Sequence, residues 1–180
     1  MKTMLNVTLS AAFGASLLAL SPVAPAAAAE IAPPTTVKKC KRGEIRDRRT
    51  KKCVKKKKRS SNLHPQDIYV AARLSAYDGA YAEALDILSV AGKTDNPQIL
   101  NYRGYVTRKM GDVEGALKHY RAALASDPDY TLARAYMGEA YLLLGDKAAA
   151  QEQLAEIASR CGTHCSEYTT LSEKLALLAD

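Results

Sequence analysis

An all-α fold is predicted: three stacked helix-turn-helix repeats and a C-terminal capping helix, preceded by a signal peptide and a mostly disordered basic arm. Three observations predict it. From His64 onward apolar residues recur at helical spacing. Small residues and turn signals recur 34 positions apart, Gly104 with Gly138, Gly111 with Gly145 and Ala116 with Ala150. A fixed period of this length marks a stacked-repeat architecture. Charge also divides the chain: residues 38–59 hold 14 Lys/Arg and two acids, a net of +12, whereas residues 60–180 hold 11 Lys/Arg and 16 acids, a net of −5. The resulting division is 1–29, 30–62 and 63–180. At 180 residues and 47% apolar composition the chain suits one domain with a tail, and a long catalytic fold of the barrel or doubly wound type is not expected at this length.

Residues 1–29 read as a cleaved secretory signal. Met1-Lys2 gives a positive start, Leu5 to Leu20 is mostly apolar, and the small run Ala26 to Ala29 follows Pro22 and Pro25. Cleavage is expected after Ala29. The alternative is an uncleaved anchor, but Asn6, Thr8, Ser10 and Ser16 interrupt the apolar stretch, which is short for a span of ~20 residues. The mature chain is therefore expected to be exported, periplasmic and soluble.

Residues 30–62 have too few apolar side chains for a core, so a flexible arm is expected. Its cations Lys51, Lys52, Lys55, Lys56, Lys57, Lys58 and Arg59 form a candidate anionic-surface site. Such residues are each worth ~1 kcal/mol beside an anionic membrane. Phospholipid headgroups or acidic envelope polymers are the partners in that reading, and a solvated linker is the alternative. Nucleic acid is disfavoured by export and by the lack of an aromatic in the arm to stack on bases.

The helical body opens at Pro65. Asn96-Pro97 then supplies an N-cap and a first-turn proline for the second unit. Gly111-Asp112 and Gly145-Asp146 each give a tight turn followed by an N-cap. Gly104 and Gly138 on the first helices, with Ala116 and Ala150 on the second, allow close helix approach, while Tyr120, Leu124, Leu143 and Leu154 fill the space between units. Ser166 to Leu178 places Tyr168, Leu171, Leu175 and Leu178 on one face, as a terminal capping helix requires.

Gly104, Gly111, Ala116, Tyr120, Ala123 and Pro128 together make residues 64–162 resemble the tetratricopeptide repeat family. Leu100, Ala72, Ile157 and Gly162 depart from the family's usual residues. The resemblance implies a protein-interaction scaffold whose first helices line a groove. By the family's register the groove positions are Tyr69, Arg73 and Tyr77, then Asn101, Tyr105, Arg108 and Lys109, then Ala135, Glu139 and Leu142. The partner is expected to be another protein or peptide. The carboxylate clamp of chaperone-binding members needs Lys and Asn where this chain has Tyr69, Arg73, Tyr102, Leu132 and Tyr136, so that form of C-terminal capture is not implied.

The four cysteines form two close pairs, Cys40/Cys53 and Cys161/Cys165. An even count in an exported chain points to disulfides, and local pairing is expected. Cys40–Cys53 would close a loop around a turn at Asp47-Arg48-Arg49-Thr50. For Cys161 and Cys165, with His164 between them, metal binding and redox chemistry are the alternatives. Haem attachment needs a different order, and zinc needs four ligands. No metal or cofactor is expected. No enzymatic activity is expected either: the three histidines stand apart in sequence, at 64, 119 and 164, and neither a nucleophile elbow nor a phosphate-binding loop occurs.

Overall fold

The computed structural model describes residues 39–55 and 63–177. The leader 1–29, residues 30–38 and the run Lys56 to Asn62 lie outside the described residues, as does Leu178. Two short strands, β1 (Glu44–Arg46) and β2 (Cys53–Lys55), precede seven helices: α1 (Pro65–Tyr77), α2 (Tyr81–Ser89), α3 (Pro97–Lys109), α4 (Val113–Ser126), α5 (Thr131–Leu143), α6 (Lys147–Cys161) and α7 (Ser166–Ala176). The three helix pairs and the terminal helix match the predicted architecture.

Local chemistry sets the helix boundaries. Asn96, Asp112 and Asp146 each accept a backbone N–H three residues on, from Ile99, Gly115 and Ala149. His64 caps α1 by accepting the Gln66 N–H on Nδ1. Each cap satisfies one of the N–H groups that a helix start leaves without a partner, a contribution of about 1 kcal/mol. Gly111 and Gly145 follow α3 and α5 with φ of +96° and +77°, a backbone conformation that disfavours residues with a Cβ.

Packing joins each pair to the next. Buried Ile68, Ala72, Ala84, Leu88, Ile99 and Val106 belong to the first cluster, and Ala116, Tyr120, Met137 and Ala140 continue the core. Gly104 makes room for Tyr120: a Cβ there would lie 2.5 Å from the ring. At Gly138 a Cβ would lie 2.5 Å from Leu171. This second glycine thus admits the terminal helix, whereas the sequence pattern paired it with the small residues of its own unit. Leu171 is fully buried with Ala135 and Ile157, which makes α7 the C-terminal cap.

The arm contains more structure than its composition predicts. Residues 39–55 form an antiparallel hairpin, with Glu44 opposite Lys55, Ile45 opposite Val54 and Arg46 opposite Cys53. The expected disulfide Cys40–Cys53 closes it, with Cα atoms 5.7 Å apart. Asp47 Oδ1 accepts the N–H groups of Arg49 and Thr50 at the tip, and these bonds, led by that from Thr50, hold its carboxyl below the usual range. Ile45 is fully buried in the first helical cluster. A count of apolar residues within the arm could not reveal this, because the core that Ile45 joins belongs to α1 and α2. The hairpin is held there by Lys39–Asp78 and Arg42–Glu83 ion pairs and by the Arg48 N–H donating to Asp67. It therefore serves as an N-terminal cap. No helix among the described residues is long and apolar enough to cross a membrane.

Candidate partner-binding groove

The first helices of the three pairs, α1, α3 and α5, contact one another in succession. Residues at equivalent register on them therefore form one continuous face. Four tyrosines run across it. Tyr69 meets Tyr102 edge-on with ring centroids 5.3 Å apart, Tyr102 stacks on Tyr105 at 5.1 Å, and Tyr105 tilts against Tyr136 at 5.3 Å. Such offset and edge-on pairs are each worth about 1 kcal/mol beyond their buried area. Tyr120 approaches Tyr136 from α4 at 6.3 Å.

Cations lie over this ladder. Arg73 is 5.5 Å from the Tyr69 ring, Lys109 is 5.5 Å from Tyr105, and Arg108 is within 6 Å of both Tyr105 and Tyr136. Arg108 also donates from Nε to the Tyr120 hydroxyl at 3.3 Å and pairs with Glu139 at 2.9 Å. Lys174 of α7 reaches the other oxygen of Glu139 at 2.6 Å. The buried Glu139 carboxylate is therefore shared by two cations from the helices on either side of α5.

Burial sets the protonation of this face. It pushes the Tyr120 phenol up to about 12 against the opposing effect of Arg108, and it raises Tyr69 and Tyr136 as well. Burial alone would lower the Arg108 guanidinium, but Tyr120 and Glu139 outweigh it and hold the group above its ordinary value. The phenols are neutral and Arg108 charged throughout the ordinary pH range.

The structure brings together most of the residues that the register selects. Tyr69, Arg73, Tyr105, Arg108, Lys109 and Glu139 join through the contacts above. Tyr77 stands apart, 61% exposed at the end of α1. Asn101 is fully buried and donates from Nδ2 to the Tyr130 hydroxyl at 3.4 Å. Tyr105 is only 2% exposed, so both residues support the face from beneath. Ala135 is buried against α7 and Leu142 packs with the same cluster, so neither opens onto the face. Tyr102 and Tyr136, which the sequence places only at the clamp positions, join the ladder, and Lys174 is a residue the register does not select. Tyr102 and Tyr136 stand 34 residues apart, and this identical register was the available signal. Lys174 follows the last repeat and had none.

Of the anionic-surface residues, Lys51, Lys52 and Lys55 are exposed on the hairpin, and Lys56, Lys57, Lys58 and Arg59 lie outside the described residues. The second expected disulfide, Cys161–Cys165, joins the end of α6 to the start of α7. Cys161, Cys165 and Glu167 place ligand atoms within 4.8 Å of one another, but both sulfurs are in the disulfide and offer no thiolate to a metal.

Comparison with known proteins agrees with this architecture. A tetratricopeptide repeat family model matches residues 108–175. Among solved structures, the first tetratricopeptide domain of human RPAP3 is similar at 18% identity and a TM-score of 0.57, covering 64% of this chain and 92% of that one. The first tetratricopeptide domain of Spaghetti (RPAP3), bound to an HSP90 peptide, is similar at 18% identity and a TM-score of 0.56, covering 64% of this chain and 94% of that one. The Yersinia enterocolitica type III secretion chaperone SycD, in complex with a peptide of the translocator YopD, is similar at 15% identity and a TM-score of 0.55, covering 64% and 94%. The Aspergillus fumigatus Sgt2 domain is similar at 20% identity and a TM-score of 0.56, covering 67% and 84%. A sequence search of curated proteins gives no match.

Proposed function

We propose that this protein, whose helical body is a tetratricopeptide repeat array, is a non-catalytic scaffold of the cell envelope that binds a segment of another protein across α1, α3 and α5. The observation that carries this reading is the tyrosine ladder with Arg73, Arg108 and Lys109 over its rings. Tyrosine and arginine are the residue types that most often dominate binding energy. The single buried carboxylate on the face is already engaged by Arg108 and Lys174. The charge offered to a partner is thus cationic, which favours an extended segment with acidic and apolar side chains. Relatives of the same fold are described with peptides bound, which supports the reading for an array of this size. The clamp positions here hold Tyr69, Arg73, Tyr102, Leu132 and Tyr136, so the contact proposed is with side chains along a segment rather than with a terminal carboxylate.

The proposed envelope location rests on the leader-like residues 1–29 and on the even, locally pairing cysteines. A second reading, an electrostatic tether through the arm, rests on exposed Lys51, Lys52 and Lys55 and the basic run that follows. The decisive experiment is crosslinking in the native envelope, followed by binding measurements with the purified partner. Tyr69→Ala and Lys109→Glu are expected to weaken that partner while leaving helicity intact. A partner bound equally well by both variants refutes the groove.

A further inference from the structure

The end face of a stacked repeat is shaped to receive a preceding helix pair, and here a two-stranded hairpin takes that place. The hairpin covers only part of the face. Between it and α1–α2 lies a cavity of about 490 Å³, a size ordinary for small-molecule sites. Its floor is apolar, formed by Val70, Ala71, Leu74 and Ile87. Its rim is charged, with six cations facing four carboxylates.

The pairing within that rim is uneven. Asp78 is engaged by Lys39, Glu83 by Arg42 and the Gly43 N–H, Asp67 by the Arg48 N–H, and Glu44 by the Lys41 N–H. The side chains of Lys41, Arg46 and Lys51 make no ion pair among the described residues. Asp78 and Glu83 are thus ion-paired, whereas Asp67 and Glu44 accept only backbone N–H groups and keep their charge. The six cations still outnumber the four carboxylates, the Arg48 guanidinium turns to His64, and Lys41, Arg46 and Lys51 leave a net positive charge above an apolar floor. Water would hydrate the cations but gain little from the floor, so a ligand that satisfies both must be amphiphilic.

We propose that this cavity binds a single-chain anionic amphiphile, with its head among Lys41, Arg46 and Lys51 and its acyl chain on Val70, Ala71, Leu74 and Ile87. The site is distinct from the tyrosine face, since none of Tyr69, Arg73, Tyr105 or Arg108 lines it. The Cys40–Cys53 disulfide lies beside it, as Cys40 is part of the wall, and so holds the basic rim in place over the floor.

Titration calorimetry of the full mature chain with dodecanoate, kept below its micelle-forming concentration, tests the proposal. One-to-one saturable binding is expected, at least tenfold weaker for Arg46→Glu and for Ala71→Phe, which fills the floor. Val70→Phe serves as a second filling variant, and circular dichroism checks that each variant is folded. Tyr69→Ala should bind dodecanoate as the parent does, which separates this site from the partner groove. Amide chemical shifts should move in the hairpin, α1 and α2. Equal affinity for dodecylammonium, unchanged binding by both folded filling variants, or binding to phosphatidylglycerol vesicles without binding to monomeric dodecanoate would each overturn it.

Discussion

Glu139 shows how one residue organises its surroundings. A carboxylate only 6% exposed is stable there because Arg108 and Lys174 both reach it. Removing one partner of a buried ion pair is far more costly than the pair's net worth. Arg108→Met should therefore destabilise the fold by about 3 kcal/mol, whereas Lys174→Met, from a more exposed position, should cost roughly 1 kcal/mol or less. Urea denaturation of the two variants checks the ordering. The phenols give a pH prediction. Tyr120 and Tyr130 are held at about 12 in the folded state, against 10.0 for an unperturbed tyrosine, chiefly by burial. The unfolded chain then loses these protons first, so their contribution is complete below pH 10 and declines as pH rises toward 12. Thermal stability should fall across that window, with tyrosinate absorbance appearing late relative to free tyrosine. The individual groove residues were legible in the sequence because repeat register names positions. The depth of each was not: register cannot tell that Asn101 and Tyr105 are covered by their neighbours.

Among the elements, the two close-approach glycines differ in what they admit. A methyl at Gly104 would meet the ring of Tyr120, itself packed among other rings, while a methyl at Gly138 would meet the terminal methyls of Leu171. Gly104→Ala should thus cost about 1–3 kcal/mol, and Gly138→Ala less, since a leucine can turn aside more easily than a confined ring. Melting temperatures of the pair distinguish the two. The helices and their order were readable because small residues and caps repeat at 34. The hairpin as a docked element was not, because its single buried apolar residue, Ile45, draws its partners from helices that begin 20 residues later. Ile45→Ala should cost about 2 kcal/mol or more, and hydrogen exchange should place the loss in β1, β2 and the first helix pair rather than in α5–α7.

At the scale of the whole molecule, the described part of the basic arm meets the acidic body at one end of the array. The Lys39–Asp78 and Arg42–Glu83 pairs fasten the hairpin to the first repeat rather than to the tyrosine face. Adhesion through exposed lysines is screened over about 8 Å at physiological ionic strength. Binding of the protein to anionic vesicles should therefore weaken with salt, and partner binding by the tyrosine face should change far less, as paired titrations at low and high salt would show. The charge division itself was visible in the sequence, but where the halves touch depends on the folded end face.

The two ends of the array are capped by unlike means, a disulfide-closed hairpin over part of one and an amphipathic helix at the other. Stacked repeats with bare ends can polymerise head to tail. Cys40–Cys53 closes the hairpin itself, so removing that bond loosens this end, while Cys161–Cys165 still joins α6 to α7 and α7 continues to block the opposite end. Two opened molecules can satisfy each other only by joining identical faces across a two-fold axis, and that contact closes on itself. A Cys40→Ser/Cys53→Ser chain whose hairpin has come away should therefore form dimers and stop there, with no fibres, as analytical ultracentrifugation over a concentration series would reveal.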